Sequence, residues 1–379
     1  MVIIVGDPIK IGDITSAHTV YSIHTKSSTV DATVTRRYRD FRWLYHALQL
    51  GNPGIIVPPP PEKQAVGRFN EGFIEQRRLS LENMIKKISQ HPILVEDEDF
   101  LIFLKSENFN NDVKHKHPNI DLNESIYVDS NSDTNNLLLN TKPNTGFMAS
   151  LNFSFTPKFI EADEWFYEKK HYIDGLEVNL KGLLKALEII VQQRKELSES
   201  IAEFSYVISK LSLVEISKPL TDVLDSFAQS QLNIKEIYQR QCAQDILTFG
   251  NSLEEFIRII ISVKAVFSQR INIDANLQKA EHEMEKKKKK LDKLMKQGRS
   301  YQVKIDAVSE EIKLQENKIL NIKVMFDNIT RTIKAEFKRF EKIRISDFRN
   351  TCEIFLENSI EAQKEAIEIW ETFYQFAGF

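Results

Sequence analysis

Cysteine is nearly absent: the 379 residues hold only two, Cys242 and Cys352. Each falls inside a helical pattern, which excludes a disulfide framework or a cysteine-built metal cluster and suits a reducing compartment. Long apolar runs are also missing. The nearest approach, residues 257–267, is broken by Arg258 and Lys264 and falls short of the roughly 20 apolar residues that cross a bilayer. Residues 1–8 lack the basic start and apolar middle of a secretion signal. No excess of positive charge exists either, because the formal net charge is −3, and this argues against nucleic-acid binding through an overall field. The glycine patterns of nucleotide loops and nucleophile elbows do not occur. Among the eight histidines, His115 and His117 stand together with no carboxylate or cysteine at ligand spacing. These absences predict a cytosolic protein that is not an enzyme and needs no metal or cofactor. Beyond Pro219 there is no proline, so nothing obliges helices there to break.

The remaining composition, 42% hydrophobic and 28% charged, is that of a chain able to bury a sizeable core in two or three domains. Residues 1–105 read as one small mixed domain. Residues 19–25 and 32–38 are rich in β-formers, a helix follows over 41–50, and a second helix starts near Asn70, carries Ile74, Leu81, Met84, Ile85 and Ile88 at helical spacing, and stops at His91-Pro92. Residues 106–145 turn to Asn, Asp, Ser and His without periodicity and read as a flexible linker. In 146–157, Phe147, Met148, Leu151 and Phe155 share one helical face. That segment suits a membrane surface and packing on the next domain equally well.

Residues 158–379 carry helical periodicity. Leu176, Leu180, Leu183, Leu187, Ile190, Arg194, Leu197, Ile201, Phe204, Ile208 and Leu211 keep an alternating four-three spacing, which is a coiled-coil seam interrupted chemically only by Arg194. A second helix is predicted over 220–297, with Leu253, Phe256, Ile260, Val263 and Phe267 in the same rhythm and a kink at Gly250-Asn251-Ser252. The third is predicted from about 300 to the end. A second helix of roughly 78 residues at about 1.5 Å each is a rod of roughly 115 Å. Its apolar positions exceed what two partners of the same chain can cover, and a second molecule is expected to complete the core. Arg194 then has three possible carboxylate partners: on its own chain, on an identical copy or on a related chain.

Three separated motifs supply convergent cations: Arg36-Arg37-Tyr38-Arg39-Asp40-Phe41, Pro58-Pro59-Pro60-Pro61-Glu62-Lys63 and Phe73-Ile74-Glu75-Gln76-Arg77-Arg78. Guanidinium groups give bidentate, permanently charged donors to phosphate oxygens, lysine adds a point charge, and a tyrosine ring offers a face to a sugar-like ring. On a strand, Arg36 and Arg37 point to opposite faces, so only one of them enters a given pocket. A run of five lysines, Lys286, Lys287, Lys288, Lys289 and Lys290, sits beside the turn at Gly298. At the tip of a long rod it suits an anionic leaflet, and elsewhere a run of this kind is a solvated face.

These motifs resemble the PX (phox-homology) domain, an α+β module with a small antiparallel sheet and helices that binds phosphatidylinositol 3-phosphate. The resemblance implies that Arg37 holds the 3-phosphate, Tyr38 stacks under the inositol ring, Lys63 meets the 1-phosphate and Arg77 bonds the ring hydroxyls. One departure is the short segment 64–72, whose Val66 and Phe69 offer little for insertion among lipid tails. The second half, through Glu164-Trp165-Phe166, Gln193-Arg194-Lys195-Glu196-Leu197, Phe267-Ser268-Gln269-Arg270 and Phe337-Lys338-Arg339-Phe340-Glu341, resembles the BAR domain of the PX-BAR sorting nexins, most of all their fungal retromer branch. That family implies an all-α three-helix BAR domain forming a curved coiled-coil dimer. The dimer is of two identical chains or of this chain with a second PX-BAR nexin. The family further implies association with the retromer cargo-selective trimer and residence in the cytosol and on the cytosolic face of endosomal membranes. Its members usually begin with a long disordered arm, which implies that this sequence is a fragment. The rival reading is a structural scaffold that pairs with partner subunits or cargo adaptors and has no specific lipid recognition.

Overall fold

The computed structural model describes residues 1–11, 18–27, 31–62, 71–116, 161, 163–296 and 302–378. They form two compact units: Met1–Phe69, Arg77–Ile173 and Ile259–Phe340 make the first, and Asn70–Gln76, Asp174–Arg258 and Glu341–Phe379 make the second.

The first unit opens with a three-stranded antiparallel meander of β1 (Val2–Ile11), β2 (His18–Lys26) and β3 (Asp31–Arg37), in the order β1-β2-β3. Strand β1 is not among the expected elements; it contains Gly6-Asp7-Pro8, residue types that favour turns. The structure absorbs that triplet as an irregularity between Val5, paired with Ile23, and Pro8, paired with Tyr21, the kind of site where a strand tolerates a residue lacking an N–H. Alternation then sends Ile3 and Val5 inward and leaves Val2 and Ile4 exposed. Four helices follow: α1 (Tyr38–Gly51), α2 (Glu71–Ser89), α3 (Glu98–Lys105) and α4 (Phe109–Lys116). Tyr38 therefore begins a helix and does not end a strand. Phe41, Leu44, Leu48, Leu81, Ile85, Ile88, Phe100 and Phe103 close one apolar core against the sheet, with Phe103 and Tyr21 edge-on to Phe41.

Helix α4 corrects the expected linker over 106–145. Its Phe109 is buried against Trp43 and Phe103, ring centroids 5.2 and 5.8 Å away, so the core extends past the point where the composition turns polar. The rest of that stretch, and the segment 146–157 with Phe147, Met148, Leu151 and Phe155, lie outside the described residues.

The same unit includes parts of the long helices. Tyr45 is buried, its hydroxyl 2.9 Å from Ser262 Oγ and accepting from Gln49 Nε2 at 2.8 Å, and burial pushes its pKa up to about 12. Gly54 N–H donates to Gln269 Oε1 at 3.0 Å, and His91 Nε2 lies 3.1 Å from Glu336 Oε2. Trp165, Phe166, Phe267 and Phe337 pack ring to ring. Over Phe166, at 3.9 Å, sits the buried Arg270 guanidinium, which also donates to Glu161 at 2.5 Å and to Thr330 at 3.1 Å. Among the residues that carried the helical-half resemblance, Trp165, Phe166, Phe267, Arg270 and Phe337 are thus packing residues.

The second unit draws on α5 (Glu164–Val214), α6 (Lys218–Asp245), α7 (Asn251–Lys296) and α8 (Gln302–Ala377), the last of 76 residues. Between α6 and α7 the chain makes one π-helical turn, Ile246–Gly250, so the expected single second helix is interrupted directly before Asn251, beside the predicted weak point. The α5 series divides in two. Leu180, Leu187 and Ile208 are buried, and past Arg194 the small Ser198, Ser205 and Ser212 are buried as well; Ser205 Oγ donates to the α6 carbonyl of Ala228 at 2.8 Å. Leu183, Ile190, Leu197, Phe204 and Leu211, spaced by seven, are 38–52% exposed. This is a second apolar stripe that the described helices leave about half exposed, with Phe204 edge-on to Phe227 of α6. Arg194 finds its partner within the chain, Asp245 at 2.5 Å.

Candidate headgroup-binding site

Each arginine pair divides its labour. Strand alternation buries Arg36, 2% exposed, where its Nε donates to Phe103 O at 2.9 Å, Nη1 to Thr35 O at 2.8 Å and Nη2 to Ser106 O at 2.6 Å. The ring of Phe109 lies 4.5 Å from its guanidinium carbon. Burial pulls its pKa down to about 10, opposed by Asp40 and Asp112. In the second pair, Arg78 is tied inward, donating to Val5 O at 2.6 Å and to Glu82 at 2.8 Å. Arg37 and Arg77 are partly exposed.

Arg37 is the N-cap of α1. Its backbone N–H donates to Asp40 Oδ2 at 2.9 Å, its Nε to Asp40 Oδ1 at 3.3 Å and its Nη2 to Asn110 Oδ1 at 3.2 Å. Burial raises the Asp40 pKa, and the hydrogen bonds and charge of Arg37 pull it back. A polar cleft of about 390 Å³ opens here, lined by His18, Thr35, Arg37, Asp40, Glu107 and Asn110 among others.

Tyr38 and Arg77 meet. The guanidinium carbon of Arg77 stands 4.6 Å from the centroid of the Tyr38 ring, and its Nη2 reaches Glu62 O at 3.4 Å. The Tyr38 hydroxyl donates to Pro61 O at 2.5 Å. Prolines have no N–H to offer one another, so their carbonyls are available to side-chain donors, and the loop thereby fixes the tyrosine ring. Burial raises the pKa of Tyr21, while the nearby charge and hydrogen bond of Arg77 lower it.

Of the four residues singled out in the sequence, Tyr38 and Arg77 are in contact, Arg37 is next in sequence with its guanidinium bound to Asp40 and Asn110, and Lys63 lies outside the described residues. Asn110 was missed: it follows the motifs by some thirty positions, and no sequence pattern distinguishes it from its asparagine neighbours. The lysine run lies on α7, with Lys289 2.7 Å from Glu285, Lys287 3.9 Å from Glu311 and Lys288 3.7 Å from Glu316. Such exposed pairs are weak, about 0–1 kcal/mol, and yield readily to another anion.

Comparison with known proteins identifies both halves. A PX domain model matches residues 24–107, and a Vps5 C-terminal-like model matches residues 141–376. The vacuolar protein sorting-associated protein 5 of Saccharomyces cerevisiae is 41% identical over 98% of this chain and 58% of its own length. Its Schizosaccharomyces pombe counterpart is 36% identical over 97% of this chain and 64% of its own; the chain thus spans somewhat under two thirds of these relatives. The cryo-EM structure of the SNX-BAR Mvp1 tetramer has the same fold, with a TM-score of 0.69 at 17% identity over 98% of this chain and 99% of that one. With a PX domain followed by a Vps5-like helical region, the chain belongs to the PX-BAR sorting nexins, a family without enzymatic activity.

Proposed function

We propose that this chain is a peripheral membrane protein that reads phosphatidylinositol 3-phosphate through Arg37, Tyr38, Lys63 and Arg77, and pairs through its helical region with a second PX-BAR chain, identical or related. In this reading it senses or drives membrane tubulation on endosomes with the retromer cargo-selective trimer, in retrograde sorting from endosome to Golgi, and partitions between the cytosol and the endosomal surface. The observation that carries the headgroup reading is the Arg77–Tyr38 pair, anchored at both ends to the carbonyls of the proline loop. A tyrosine ring tethered by its hydroxyl, with a guanidinium over its face, suits a hydroxylated, phosphorylated ring. No helix among the described residues is long and apolar enough to cross a membrane, consistent with attachment from one side.

Attachment is by several weak contacts at once. The headgroup pocket selects the lipid. Lys286 to Lys290, each worth about 1 kcal/mol at an anionic leaflet, and the face of Phe147, Met148, Leu151 and Phe155 add affinity without selecting. Two such chains on one surface multiply these contacts through effective concentration. The half-exposed stripe of Leu183, Ile190, Leu197, Phe204 and Leu211 supports the pairing.

Flotation with vesicles containing phosphatidylinositol 3-phosphate, against vesicles matched in charge with phosphatidylserine, tests the reading. Arg37→Ala, Tyr38→Ala and Arg77→Ala are each expected to abolish the preference for the phosphoinositide. Undiminished preference in all three refutes headgroup recognition at this site. The same apolar stripe favours the scaffold reading if pairing is all the chain does. Vesicle pelleting that is insensitive to salt between about 50 and 500 mM supports that alternative, because screening weakens charge contacts but spares an apolar interface.

A further inference from the structure

The matched PX module ends at residue 107, yet the chain beyond it contributes to the wall around Arg37. Phe109 is seated between Trp43, Phe103 and the Arg36 guanidinium, and this fixes the first turn of α4 beside the end of β3. Asn110, the next residue, is thereby held with its amide oxygen 3.2 Å from Arg37 Nη2, while Asp40 takes Arg37 Nε from the other side. A guanidinium has five N–H donors on a rigid plane. Two contacts from separate elements set the orientation of that plane and leave three donors for an incoming anion.

We propose that Asn110 is a positioning residue for headgroup binding: it orients the Arg37 guanidinium so that its remaining N–H groups receive a phosphate monoester. The inference rests on the reading of Arg37 as a phosphate ligand. An asparagine suits the role because its oxygen accepts from the arginine without placing a negative charge beside the phosphate. A carboxylate at the same position holds the arginine as well but repels the ligand. Residues beyond the PX module thus belong to the lipid site, and the docking of α4 through Phe109 sets the readiness of Arg37.

The test is calorimetric titration of the full 379-residue chain with water-soluble dibutanoyl phosphatidylinositol 3-phosphate. Asn110→Ala is expected to weaken binding about three- to tenfold, and Asn110→Asp more than that, with unfolding midpoints unchanged because the residue is exposed. Asn111→Ala, which alters the same cleft, is expected to stay within about twofold of the parent. In an Arg37→Lys background, where a charge remains but the planar fork is gone, Asn110→Ala is expected to have an effect below about twofold, a coupling that a merely structural role would not produce. Parent-like binding by Asn110→Ala, or an equal loss in both backgrounds, overturns the proposal. If Arg37→Ala weakens binding while Asn110→Ala does not, only the role of Asn110 falls; parent-like binding by Arg37→Ala removes the headgroup reading and this inference together.

Discussion

Arg194 and Asp245 allow a quantitative test of the helical packing. Asp245 is fully buried, whereas the Arg194 side chain is 19% exposed. One carboxylate oxygen takes Arg194 Nη1 at 2.5 Å and the other, Oδ1, is buried without a hydrogen-bond partner. Arg194→Ala therefore strands a buried carboxylate with no other hydrogen-bond donor among the described residues. Breaking a buried pair in this way costs about 3–5 kcal/mol. Asp245→Ala leaves the longer, partly exposed arginine, which can extend its head to solvent, and is expected to cost only about 1–2 kcal/mol. The double change Arg194→Met, Asp245→Leu removes both charges and fills the space with apolar groups of similar size, which at such sites is near neutral or stabilising. The order of the three variants is thus Arg194→Ala, then Asp245→Ala, then the double variant as the least harmful. Urea titration followed by far-ultraviolet circular dichroism measures it, at one fixed protein concentration because association adds apparent stability. A cost below about 1 kcal/mol for Arg194→Ala, or equal costs for the two alanine variants, refutes the reasoning that the buried carboxylate depends on this cation.

What the sequence makes legible follows from how local its signals are. Helical periodicity over tens of residues placed the α6–α7 stretch and α8 to within a few residues and the body of α5, whose seam was read only from Leu176 although the helix begins at Glu164, because each repeat reinforces the last. The opening strand was illegible because Gly6-Asp7-Pro8 carries turn chemistry that only pairing with β2 overrides. Helix α4 was hidden in a run of polar residues, and the one feature that orders it, Phe109 against Trp43, is a contact across 66 positions of sequence. At the site, strand alternation correctly predicted that Arg36 and Arg37 part company, but not that the chain after α3 supplies a partner to each: Ser106, the C-cap of α3, and Phe109 of α4 meet Arg36, and Asn110 meets Arg37. The seam of α5 was visible as a spacing, while its division into a buried and a half-exposed stripe depends on where α6 lies. Serines at 198, 205 and 212 mark that closeness only once the Ser205–Ala228 bond is seen.

Two further variants probe the first unit. Gly54 sits at φ 88°, and a Cβ there would come within 3.1 Å of Ile329 Cγ1 and 3.2 Å of Thr332 Cγ2. Gly54→Ala combines left-handed strain with crowding and is expected to cost about 2 kcal/mol or more in urea titration; a parent-like midpoint contradicts the close approach. His46 makes the unit acid-sensitive. On α1 it is largely buried, its Nε2 has no hydrogen-bond partner, and burial, with Arg42 second, pushes its pKa down to about 4. In the unfolded chain the imidazole takes up its proton near pH 6.5, whereas the folded chain resists until about 4. The neutral histidine thus contributes its full stability above about pH 6.5, and that contribution drains away as pH falls toward 4, by up to about 3 kcal/mol for a difference of some 2.5 pH units. His46→Gln removes the titration and leaves every other acid-sensitive group in place. The difference between parent and variant, measured by urea titration at pH 7 and pH 4.5, is therefore expected to shift by about 2–3 kcal/mol against the parent at the lower pH. Parallel pH profiles for the two proteins would mean that His46 reaches water in the folded state, and would overturn the burial argument for α1.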